Sequence, residues 1–219
     1  MKIKVNIDIR VGRVVKFFVI SDLFLLAGWG FIEPVFSVFV VERVAGATLA
    51  TVGIAAAIYW LLKSTLELPI AKYLDDTPGE KDDFTALVAG LFLGAFSALG
   101  FTWVREIWQL YLVQVVHAIA FALYVPSWSA MFSRHLDKDR VSFDWSLDST
   151  AAGIAAGITG LLSGILAENL GFNGVFVVAG VFAMLAALVL ISVPDLVLPK
   201  PVIRGPVARE DHTPANLEV

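Results

Sequence analysis

The chain has 219 residues, of which 58% are apolar and 16% charged, with a mean hydropathy of +0.80. A soluble domain of this size covers itself with more charge than that, so the excess apolar surface is read as facing lipid. The formal net charge of −4 says little about partners, the absence of cysteine excludes disulfides and thiol catalysis, and three scattered histidines offer no metal-ligand spacing.

The chain opens on a stretch, residues 1–15, with charges throughout and no small-residue cleavage site. It is read as a retained cytoplasmic segment with the option of an interfacial amphipathic helix, and not as a cleaved signal peptide. A transmembrane domain is expected over 16–195. About 20 apolar residues are needed to cross a bilayer as a helix. Stretches of that kind run from Phe17 to Val41, Ala47 to Ala71, Phe84 to Thr102, Ile107 to Phe132, Trp145 to Ala167 and Phe172 to Val193. None shows the alternation of a membrane β-strand. The fold class is therefore all-α, a polytopic membrane protein with six transmembrane helices. The proline- and charge-rich tail, 196–219, is expected to be disordered and cytoplasmic.

Alternating the connections between two sides puts thirteen Lys and Arg on one side, and only Arg43 and Arg105 on the other. The positive-inside bias then predicts both termini in the cytoplasm, in an inner cell membrane.

Charges within a span need a partner, a wet cavity or a function. Asp22, Trp29 and Glu33 share one face of the first helix. Gln114, His117, Phe121, Tyr124 and Trp128 step by three and four along the fourth, a polar and aromatic stripe of the kind that lines a solute path. Tyr59, Lys63 and Glu67 step by four along the second. Lys63 either pairs with Glu67 or neutralises Asp22 on the neighbouring helix. Glu33, one residue before Pro34, is either a solute or proton site or local structural glue. His117 is either a titratable site or a neutral packing residue. The third and sixth helices carry no charge within their spans and are expected to face lipid. On the fifth, Gly153, Gly157, Gly160 and Gly164 form a stripe that suits close helix approach.

Taken together, residues of about 15 to 195 resemble a six-helix half of a major facilitator superfamily transporter. The connection Ala71-Lys72-Tyr73-Leu74-Asp75-Asp76-Thr77-Pro78-Gly79-Glu80-Lys81 is similar to that family's Gly-x-Leu-Ala-Asp-Arg-x-Gly-Arg-Lys signature. Asp75, Gly79 and Lys81 match; Ala71 replaces the first glycine, Asp76 the basic residue, and one residue is inserted. Tyr124-Val125-Pro126, a basic loop with Arg140 and the glycine-rich fifth helix follow in the family's order. The family's frequent arginine on the fourth helix is absent near Gln114.

The resemblance implies a midplane solute site lined by the first and fourth helices, here Asp22, Trp29, Glu33, Gln114, His117 and Tyr124. It implies a cytoplasmic gating loop at Asp75, Gly79 and Lys81, and second and fifth helices that meet the other half. Six helices alone cannot enclose such a cavity, so a homodimer acting by alternating access, conceivably proton-coupled, is the economical reading. Neither an enzyme, a cofactor nor a nucleic-acid partner is expected. The alternative is a non-transporting scaffold or the partner subunit of a longer transporter.

Overall fold

The computed structural model describes residues 11–193. The readings made for the N-terminal segment and the tail lie largely or wholly outside the described residues. The described chain is all-helical apart from one isolated bridge between Ala45 and Glu106. Helix α1 spans Arg13–Arg43, α2 Leu49–Asp76, α3 Lys81–Gly100, α4 Ile107–His135 and α5 Val141–Ile191, with a 3-10 turn at Phe101–Trp103. All five α-helices are long and apolar enough to cross a membrane.

Helix α5, of 51 residues, leaves helical geometry at Gly171, where φ is +70°. Straight, it would be about 75 Å long, more than twice the hydrocarbon thickness of a bilayer. Instead the chain folds back, because a positive φ is open to glycine at no steric cost. Gly30 of α1 lies against Ala156 and Thr159, before the break, while Gly28 lies against Ala179 and Phe182, after it. The first arm, 141–170, thus runs parallel to α1 and the second, 172–191, antiparallel to it. The six separate helices expected do not appear as six elements; the count depends on how these two arms are taken.

Close helix approach is what the glycines provide. A Cβ at Gly28 would lie 2.9 Å from the Ala179 carbonyl oxygen, and one at Gly30 would lie 2.9 Å from Ala156 Cα. At Gly90 the same atom would meet the Ala120 carbonyl at 2.8 Å and the Tyr124 nitrogen at 2.9 Å, so α3 and α4 touch backbone to backbone. Two buried serines bridge α1 to the arms of α5: the Ser21 hydroxyl donates to the Ala186 carbonyl at 3.0 Å, and that of Ser163 donates to the Phe31 carbonyl. An aromatic cluster of Phe39, Phe101 and Phe176 fills the bundle towards the Arg43 end. Phe18, Trp128 and Phe132 fill it towards the other.

The connections between the described helices lie at two ends of the bundle. Ala45 donates to the Arg105 carbonyl at 2.8 Å, and Glu42, Arg43, Arg105 and Phe172 line one recess of about 410 Å³. At the opposite end, Arg134 of α4 pairs with the fully buried Asp83 of α3, and His135 approaches Glu80 at 3.8 Å.

The helices without charge in their spans, α3 and the second arm of α5, expose Phe96, Val177, Val181 and Leu188 on one face and bury Leu87, Leu91, Ala95, Val175, Phe176 and Ala183 in the core on the other. The charged α2 buries only Thr51, Ala55 and Leu74. Lacking charge suits a helix to an apolar interior as well as to lipid. On α2 the exposed face is apolar, with Leu61 and Leu68, while Lys63 and Glu67 are 14% and 28% exposed.

Candidate functional site

The aromatic stripe of α4 meets α1 and α2 in a cavity of about 320 Å³. His117 sits at its centre. Trp29 stacks on the imidazole at 3.9 Å between centroids and 4° between planes, and Tyr59 stacks at 4.2 Å and 25°. Phe121 closes the edge at 4.9 Å. These contacts follow from register: residues four apart lie on one helix face, so His117 and Phe121 of α4 both reach the gap between α1 and α2. His117 Nδ1 lies 3.2 Å from Gln114 Oε1, which ties the ring to the buried Gln114 one turn away. Glu33 lies one turn beyond Trp29 and lines the cavity, as do Phe36, Trp60 and Phe101.

Of the six residues expected to line a solute path, Trp29, Glu33, Gln114 and His117 share this wall. Asp22 and Tyr124 do not. They form a separate buried pair in which the Tyr124 hydroxyl donates to Asp22 Oδ1, tying α1 to α4. The alternatives for Lys63 divide cleanly: its Nζ lies 2.7 Å from Glu67 along α2, while Asp22 is engaged by Tyr124.

Asp148 is a further acid near this pair. It is 6% exposed, one of its carboxylate oxygens is buried without a hydrogen-bond partner among the described residues, and it acts electrostatically on both Asp22 and Tyr124. Sequence reasoning passed over it. The available signal was its position four residues after Asp144, an acid inside the apolar stretch that starts at Trp145. Asp144 itself is fully buried and accepts a hydrogen bond from the Asp137 backbone nitrogen at 3.0 Å, which fastens the loop before α5.

The segment expected to gate lies at the Asp83–Arg134 end. Asp75 is exposed near the end of α2, Lys81 begins α3, and Gly79 turns the chain between them with φ +116°. On α5, a Cβ added at Gly153, Gly157 or Gly164 would meet nothing within 4 Å. Only Gly160 packs within the chain, 3.8 Å from the Gly30 carbonyl and Pro34 Cγ. Three glycines of the stripe therefore face outward. No group of acids and histidines among the described residues has the arrangement of a metal site.

The arrangement combines membrane-length helices, a walled cavity between α1, α2 and α4, and loops that alternate between two ends. The sequence matches the Major Facilitator Superfamily over residues 18–216, a stretch that includes nearly all of the five apolar helices. No curated protein matches the chain. It follows that the chain is a multi-pass membrane protein belonging to the major facilitator superfamily, whose members are transporters rather than enzymes.

Proposed function

We propose that the two arms of α5 are separate crossings, giving a six-helix half bundle that transports a small solute as a homodimer. Both termini would then lie in the cytoplasm of a cell with an inner membrane, consistent with the clustering of basic residues at the Asp83–Arg134 end. The observation that carries this reading is the cavity around His117. It is walled by α1, α2 and α4, and α2 leaves Leu61 and Leu68 exposed by 70% and 77%. The outward glycines of the first arm of α5 offer a second face on which backbone can approach backbone.

In such a dimer α2 of one copy would meet the first arm of α5 of the other, and the two His117 cavities would open towards each other. Rocking of the copies would expose the solute alternately to each side. Trp29, Glu33, Gln114 and His117 contact solute in this scheme, and Asp75, Gly79 and Lys81 gate the cytoplasmic side. Asp22 and Asp148 supply proton coupling, since a proton moving on and off two buried acids would change the charge that the Tyr124 contact between α1 and α4 must accommodate.

Reconstitution tests this reading. In nanodiscs the particle mass is expected to correspond to two chains, and proteoliposomes are expected to show solute flux that falls at least about tenfold in His117→Ala. A strictly monomeric protein that still transports would refute the homodimer. Two chains with no flux for any solute, together with copurification of another membrane protein, would favour the scaffold or partner-subunit reading.

A further inference from the structure

The ion pair on α2 decides the charge of the cavity. Lys63 is held by Glu67, its Nζ lies 5.7 Å from the Trp60 ring, and it is not on the wall. Glu33 is then the only Asp, Glu, Lys or Arg among the described residues that line the cavity. Most of the remaining wall is aromatic, with Trp29, Tyr59 and Phe121 grouped within 6.1 Å of one another or of the shared His117 ring. Aromatic faces carry negative potential and attract cations, with indole the strongest. One carboxylate on each copy's wall, beside aromatic rings, attracts a cation from two sources at once and repels an anion.

A volume of about 320 Å³ suits a compact ligand. A compact cation with apolar substituents needs no directional partners.

We propose that the cavity selects small organic cations, with Glu33 as the counter-ion and Tyr59 and Phe121 as the π surfaces, Trp29 being committed to the His117 stack. This selectivity rests on the transporter reading above and names the substrate class for the same site.

Binding to the purified full chain tests it, using choline, its uncharged isostere with carbon in place of the quaternary nitrogen, and the corresponding tert-butyl carboxylate. Choline is expected to bind saturably, and the other two at least about tenfold more weakly. In Glu33→Gln, choline affinity should fall by about tenfold, leaving only the smaller preference over its isostere that the aromatic rings supply. In Tyr59→Leu, choline affinity should fall by about threefold or more relative to that of the isostere, which loses no cation–π contact. Isostere or carboxylate binding as tight as that of choline would overturn the proposal. So would choline binding that is unchanged in Glu33→Gln, or saturable binding by none of choline, tetramethylammonium and guanidinium. Failure of the transporter reading is distinguishable, because it appears as absent solute flux in proteoliposomes whatever the charge of the ligand.

Discussion

Arg134→Ala is expected to destabilise the protein by about 2–3 kcal/mol, below the range for a fully buried ion pair because Arg134 is 32% exposed. Asp83 has no exposed surface, and its second oxygen is already without a hydrogen-bond partner among the described residues. Removing the guanidinium leaves a carboxylate in the interior between α3 and α4, beside Asp82 and Glu80, which add repulsion. The thermal transition in detergent should fall by on the order of 10 °C. Combining Arg134→Ala with Asp83→Leu should recover much of that loss, because the double variant buries no unpaired charge. A single variant that melts within about 2 °C of the parent would show that the pair is not structural.

The second large effect comes from one substitution made at two glycines. Gly90→Leu is expected to cost about 3 kcal/mol or more, or to prevent assembly, because any side chain there meets backbone of α4 rather than a movable group. Gly157→Leu should leave the stability of the protomer unchanged or slightly improved. A Cβ there has open space around it, and leucine favours helix over glycine by up to about 1 kcal/mol. Thermal transitions of the two variants, compared under dissociating detergent conditions, check the contrast. Equal losses would mean that both glycines pack inside one chain, and the outward stripe would lose its role as a docking face.

Much of the fold was legible because bilayer length and hydrophobicity leave few options. The first four predicted spans fall within α1 to α4, apart from a few residues at the start of the second and the end of the third, and the expected break between Glu168 and Gly171 contains the glycine where α5 turns back. The wall around His117 was legible too, since the three-and-four spacing along α4 forces Gln114, His117 and Phe121 onto one face. Which face met which neighbour was not. Asp22 and Lys63 lie at similar depths along their helices, yet depth does not fix rotation, and Asp22 turns to Tyr124 while Lys63 turns along its own helix to Glu67. The pairing of Asp83 with Arg134 joins positions 51 apart, one before the third apolar stretch and one after the fourth. It depends on α3 and α4 being in register, which local pattern does not carry. How α3 divides its surface between lipid and core was not legible for a related reason: an uncharged helix has the same composition whether lipid or protein surrounds it.

The central claim is that two copies meet through α2 of one and the first arm of α5 of the other, with the solute cavity between them. The native chain has no cysteine, so single introduced thiols report contacts without background. Membranes holding one tagged copy with Ala57→Cys and a second with Gly157→Cys should yield a mixed dimer on treatment with a short bismaleimide. Phe96→Cys, exposed on α3, should yield none with either. Only monomers from the Ala57→Cys and Gly157→Cys mixture, or equal cross-linking through Phe96→Cys, would contradict the account.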